Sequence, residues 1–274
     1  MTGEIYMVEF TAESILRCDV EALTTPPPTI PLTPIPELTG LIGWWDASIF
    51  DSMTLAVNGT DNAILSIADQ SGHGNNLGDP GSGTPSYSAT GFNGSHPAMV
   101  FSGNGQQALR KASFVFGGGS TLTVFAAASF ETGFFMDQSG RLISYTATGQ
   151  SHDDQNVGSF ALARDAQTSN ALFVRNSLQT PSTSVGYGTP RRVIATVKAD
   201  GTMTIYVDGV ASATVTSAGT FAATGDLVVG GSRDASIFGH YFHGAIAEIG
   251  IATGYHDAAT VALLDSYLKS KWGM

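Results

Sequence analysis

The sequence predicts an all-β fold: a two-sheet antiparallel sandwich with a short C-terminal helix and an extended N-terminal arm. Three observations predict it. Strand-like apolar runs follow one another at short intervals from residue 38 onward, separated by glycine-rich turns. Glycine is abundant, at 33 of 274 residues, while charged residues make up only 13%. That composition suits many short strands and suits a helical bundle poorly. Hydrophobic residues, at 42%, suffice for a sizeable core.

Taken in order, residues 1–25 read as an anchor arm. Glu4 to Phe10 alternates well enough for a short strand, and Thr11 can cap a short helix whose Ile15, Leu16, Cys18, Val20 and Leu23 form a narrow apolar stripe. Residues 26–37 read as a spacer. Pro26, Pro27, Pro28, Pro31, Pro34 and Pro36 favour extended polyproline II structure with few donors for a sheet. Such an arm either straps across its own domain or docks onto another protein. Ile5, Tyr6, Val8, Phe10, Ile15 and Leu16 favour docking, because a free tail has little use for apolar side chains.

Residues 38–274 read as the sandwich. Strands are expected at 40–45, 63–68, 98–101, 122–129, 141–145, 160–163, 171–174, 193–198, 202–207, 211–216, 226–230 and 245–251. Asp208-Gly209 marks a hairpin turn. Trp44 and Trp45 are neighbours on the first strand, so one faces the core while the other packs under the C-terminal helix or the arm. The segment 258–272 carries Val261, Leu264, Leu268 and Trp272 at helical spacing, which predicts one apolar face lying on the sandwich.

Several segments follow a known order of motifs. Residues 40–46 (GLIGWWD) match an opening strand and residues 69–77 (DQSGHGNNL) a "D-x-S-G-x-G-N-x-ϕ" loop. Residues 97–105 (PAMVFSGNG) match "ϕ-x-F-x-G", 120–130 a "ϕ-T-ϕ-x-ϕ" strand, and 242–251 (FHGAIAEIGI) an "F-x-G-x-I-x-E-ϕ" strand. Over roughly residues 38–274 the chain resembles the concanavalin A-like (laminin G-like) jelly-roll lectin/glucanase superfamily. The resemblance implies a jelly-roll sandwich and a scaffold used mainly for binding, with enzymes in only some branches.

The bulk charge excludes some partners. A net charge of −11, with only 12 Lys and Arg, gives no basic face for nucleic acid. The doublets Arg110-Lys111 and Arg191-Arg192 read as solvated strand ends. Cys18 is the single cysteine, so no intrachain disulfide forms. The N-terminus lacks the basic and apolar regions of a secretory signal, and no run approaches a membrane span. The expectation is synthesis in the cytoplasm with no membrane insertion.

Candidate sites are few. Asp69 and Asn75, with Glu248 added by the resemblance, can be assembled into an all-oxygen shell that suits Ca2+. Asp69 and Asn75 equally suit hydrogen bonding of their own turn, and His73 reads as a loop side chain. Arg233, Asp234, His240 and Tyr241 mix an aromatic ring with hydroxyl-binding side chains, a set that suits a glycan. Phe134-Phe135 and residues 255–257 (YHD) are further loop candidates, whereas Phe242 reads as core. The paired-carboxylate motifs of jelly-roll glycosidases are absent, Asp153 and Asp154 being adjacent and Glu248 alone on its strand. No G-x-S-x-G elbow is present.

The sequence therefore reads as a non-catalytic, lectin-like sandwich on a docking arm. That architecture looks like a bacteriophage virion accessory protein (decoration, fibre or tail). Its arm would bind a capsid or tail protein, and its sandwich would be displayed in many copies towards cell-surface glycans. A free-standing bacterial carbohydrate-binding or adhesin module at the cell surface and, less favoured, a glycan-cleaving enzyme are the alternatives.

Overall fold

A computed structural model describes residues 38–58, 61–102, 106–131, 140–153, 156–165, 170–176, 178–180, 183–234 and 237–274. The arm and spacer expected over 1–37 lie outside the described residues, as do Phe134 and Phe135. No helix among the described residues is long and apolar enough to cross a membrane.

The chain runs through β1 (Leu41–Asp46), β2 (Met53–Asn58), β3 (Asp61–Ile67), β4 (Leu77–Gly78), β5 (Ser86–Phe92), β6 (His96–Phe101) and β7 (Leu109–Val115). It continues through β8 (Leu122–Phe130), β9 (Arg141–Ala147), β10 (Phe160–Arg164), β11 (Asn170–Arg175), β12 (Leu178–Gln179), β13 (Thr183–Ser184), β14 (Pro190–Val197) and β15 (Thr202–Val207). After β16 (Val210–Ala211), β17 (Val215–Thr216) and β18 (Thr224–Val229), the hairpin of β19 (Ser232–Asp234) and β20 (Ile237–Gly239) precedes β21 (Gly244–Ala252) and helix α1 (Ala258–Lys271). Every strand pairing is antiparallel.

Two sheets face each other. In the first, β21 lies between β8 on one side and β1 with β6 on the other, and β8 leads on to β14 and β15. The second runs β4–β7–β18–β9–β10–β11. Strand β3 pairs with both β4 and β5 and joins the sheets along one edge.

Strand β8 shows why the sequence folds this way. Its LTVFAAASF run is buried on both faces, so alternate residues serve two cores. Leu122, Val124, Ala126, Ala128 and Phe130 enter the core between the sheets, against Tyr145, Phe160, Phe173 and Leu227 of the second sheet. Phe125 and Ala127 point the other way, beneath α1, with Ile194, Ala245 and Ala247. The small alanines leave room for the helix, whose Val261, Leu264, Leu268 and Trp272 are buried there as their spacing predicts. The Asp257 side chain caps α1 by accepting from the Thr260 N–H at 2.9 Å.

The structure adds strands at 53–58, 86–92 and 109–115 to those expected from the sequence. Strands β5 and β7 bury few of their side chains, so they lack a clear apolar alternation. Trp45 enters the inter-sheet core, and Trp44 packs on the cluster beneath α1. The doublet Arg191-Arg192 is not a solvated end. Arg192 is buried, donates to Asp265 of α1 at 2.8 Å, and so ties the helix to β14.

Candidate ligand-binding cleft

On the outer face of the second sheet, β7, β18 and β9 form the floor of a cleft of about 530 Å3. Arg110 and Ser113 come from β7, Asp226 from β18, and Thr146 and Ala147 from β9; the segment Thr148–Ser151 forms a rim and Arg233 a wall. The volume is that of a small-molecule site, but the lining is polar.

Local backbone geometry builds this floor. The pairing of β7 with β18 slips between Gly225 and Leu227, so two residues of β7 lie opposite Asp226. Ser113 sits at that bulge with φ +52°, a left-handed conformation that is costly for a side-chain-bearing residue. Bulges of this kind re-aim side chains beside binding sites. Gly225 lets β18 approach β9, since a Cβ there would strike the Thr146 carbonyl and the Tyr145 ring. Gly230, at φ +83°, turns the chain out of β18 with Phe101 pressed where a Cβ would be. The β19–β20 hairpin can then fold over β9, where the Thr146 hydroxyl donates to the Arg233 carbonyl at 3.1 Å and the Ser144 hydroxyl to the Gly231 carbonyl at 2.9 Å.

The cleft is organised around one carboxylate. Asp226 accepts from an Arg110 Nη at 2.9 Å, from the Ser113 N–H at 3.4 Å, and forms an ion pair with Arg233. Asp226 is the least exposed of the three, at 10% of its side chain, against 25% for Arg110 and 37% for Arg233. Donors therefore lie nearer the solvent than their counter-ion. Thr148 donates to the Thr224 carbonyl at 3.1 Å and anchors the rim.

Of the expected glycan set, Arg233 reaches this cleft. Asp234 is placed next to it on β19 by backbone pairing to Ile237. His240 and Tyr241 are not part of the lining. His240, at φ +48°, accepts the Arg141 N–H through its carbonyl, and Tyr241 lies against Gly231 with burial pushing its hydroxyl pKa up. Arg110, Asp226 and the 146–151 segment were missed. The one signal was the Arg110-Lys111 doublet, whose partner lies 116 residues away.

The residues of the expected calcium set have protein partners. Asp69 Oδ1 accepts from the N–H groups of Trp44 (3.0 Å) and Ser71 (2.9 Å), and Oδ2 from the Ser71 hydroxyl (2.8 Å) and the Asn75 N–H (2.9 Å). Asn75 donates to the Ile42 carbonyl at 2.7 Å. Both residues brace the loop against β1. Glu248 is buried beneath α1, where it accepts from Trp44 Nε1 (2.6 Å), Tyr267 Oη (2.8 Å) and Trp272 Nε1 (2.8 Å) and pairs with Lys271 at 3.0 Å. Lys271 also bonds Asp46 and the Tyr267 hydroxyl. Burial raises the Glu248 pKa, against the pull of Lys271. Among the described residues no three His, Cys, Asp or Glu side chains are grouped to hold a metal.

Residues 255–257 make contacts within the fold. Tyr255 lies under the Lys198 ammonium, His256 bonds the Thr123 hydroxyl at 2.9 Å, and Asp257 is the helix cap. Asp153 pairs with buried Arg141 at 3.0 Å.

Comparisons with known proteins bear on the fold. No protein-family model matches the chain, and no curated protein matches it. Among solved structures it is similar to domain 4 of AbnA, an extracellular GH43 arabinanase from Geobacillus stearothermophilus, in complex with arabinotriose. That similarity has a TM-score of 0.56 and 16% identity, covering 84% of this chain and 100% of that domain. It is also similar to the Trypanosoma rangeli sialidase, with a TM-score of 0.54 and 13% identity over 94% of this chain; the chain spans only 38% of that enzyme. At these identities the likeness is one of fold, a β-sandwich.

Proposed function

We propose that this chain is a non-catalytic glycan-binding module whose site is the cleft on β7, β18 and β9. One observation carries the reading: a polar cleft of about 530 Å3 in which two arginines are set around a single carboxylate, ringed by Ser, Thr and Gln side chains. Sugar hydroxyls both donate and accept, and charged partners make the stronger hydrogen bonds to them. Hydrolysis by paired acids needs two carboxyl groups across a groove, and the described lining holds Asp226 alone. The arabinanase domain of the same fold holds arabinotriose, which supports the glycan class without naming the sugar.

Titration calorimetry of the intact protein against neutral and acidic oligosaccharides tests the reading. Binding is expected in the millimolar to micromolar range, and Arg233→Ala is expected to weaken it at least about tenfold. No heat from any member of the panel, or an undiminished Arg233→Ala protein, would overturn the assignment.

The wider context proposed is display on a virion surface in many copies, with Ile5, Tyr6, Val8, Phe10, Ile15 and Leu16 docking the arm to a capsid or tail protein. It rests on the apolar arm and proline spacer in the sequence. Multivalent display would turn weak single-site affinity into firm attachment. Cryo-electron microscopy of the assembly carrying this chain tests it: residues 1–37 ordered on a structural subunit support it. A lone monomer favours a free-standing carbohydrate-binding or adhesin module instead.

A further inference from the structure

We infer that the cleft selects carboxylate-bearing glycans, those containing uronic or other sugar acids, over neutral ones; this rests on the glycan-binding reading above. The lining charges are Arg110, Arg233 and Asp226, so it carries a net +1 in a chain of net −11. The surplus sits where a ligand meets it first. Asp226 lies at the floor with 10% of its side chain exposed, while Arg233 keeps 37% exposure on the wall and Arg110 25%.

A guanidinium offers five N–H donors in a planar fork that matches a carboxylate, and Asp226 supplies about four acceptor positions to be shared between two such forks. A ligand carboxylate at the mouth would complete this arrangement as a second acceptor. Neutral sugar hydroxyls would then fall to Thr148, Gln150 and Ser151 on the rim. The strained bulge at Ser113 and the hairpin held by Thr146 fix the arginines from opposite sides, so that the forks are positioned before the ligand arrives.

The long-range field of an acidic protein repels anions. Selection must therefore come from short-range contact, and steering contributes little.

The test uses the intact protein and needs no variant to be read. Titration calorimetry compares a trigalacturonate, its fully methyl-esterified neutral form and a sulfated trisaccharide of equal length. The free acid is expected to bind at least about tenfold tighter than the ester. Arg233→Lys, which keeps the charge and loses the fork, is expected to lose most of the margin. Thermal unfolding verifies that this variant is folded.

Equal affinity for acid and ester overturns the inference and leaves the glycan-binding reading standing. A sulfated ligand that matches the acid overturns the carboxylate preference. Binding by none of the three, nor by the broader oligosaccharide panel, overturns the glycan-binding reading itself.

Discussion

Replacing Lys271 by methionine should cost about 3–5 kcal/mol of stability, although the residue lies outside the proposed binding site. Its ammonium is buried, with side-chain exposure of 1%, beside two carboxylates that have none. It bonds Asp46, Glu248 and the Tyr267 hydroxyl, and lies 5.6, 5.3 and 5.1 Å from the ring centres of Trp44, Tyr267 and Trp272. Methionine fills nearly the same space, so little cavity is created. What is lost is the cation, and Asp46 and Glu248 are left facing each other in a low-dielectric pocket, which is the costly half of breaking a buried pair. For a domain of this size roughly 2–4 °C is lost per kcal/mol, so the melting temperature should fall by roughly 6–20 °C.

Urea unfolding at fixed pH measures the change, and an unaltered m-value would show that the effect lies in stability. The double variant Lys271→Met with Glu248→Gln removes one of the stranded charges and should recover at least about 1 kcal/mol, a coupling expected of groups in one network. A loss below about 1 kcal/mol for Lys271→Met, with no recovery in the double variant, would refute the account of these charges as one interdependent unit.

The same network has a pH signature. Burial holds the Glu248 pKa above its ordinary 4.5, so the native state binds this proton more tightly than the unfolded chain does. Its contribution is full below about pH 4.5 and is lost as pH rises through the raised native value. Glu248→Gln should abolish that slope in stability-versus-pH measurements; an unchanged slope would assign it elsewhere. Asp69→Ala should cost about 2–3 kcal/mol by leaving the Trp44, Ser71 and Asn75 donors unsatisfied. Because those donors already occupy the carboxylate, millimolar calcium should shift the melting temperature by less than about 1 °C; a larger rise would show a metal site there.

Residues whose roles are set by local rules were legible in the sequence. The spacing of Val261, Leu264, Leu268 and Trp272 follows from helix periodicity and points to the face observed. The Trp44-Trp45 pair had to split between two environments, and does. Asp208-Gly209 forms the expected turn, with both residues at positive φ. Residues whose roles depend on register across the sheets were not legible. Arg110 finds Asp226 only through the β7–β18 pairing and its bulge, and nothing near position 110 announces an acid 116 residues later. Glu248 stands among Ala, Ile and Gly, so it invites a ligand's role; its true partners come from α1 and β1. Tyr267 and Lys271 lie outside the apolar spacing of the helix, because polar atoms that are satisfied only by tertiary contacts look solvent-bound in one dimension.

Strand β21 lies in the middle of the first sheet, yet it is the last of the described strands to be made. Trp44 and Glu248, which meet in the finished protein, are 204 residues apart. At about 5–20 residues per second, a ribosome takes roughly 10–40 seconds to bridge that gap. Until then β1, and β6 and the facing side of β8 once they are made, have edges without their eventual neighbour, the kind of surface on which nascent chains pair wrongly. The fold is therefore closed from its centre only once residues 244–252 have been made, and a synthesis that stalls before residue 244 would release a sheet split down the middle rather than one trimmed at its margin.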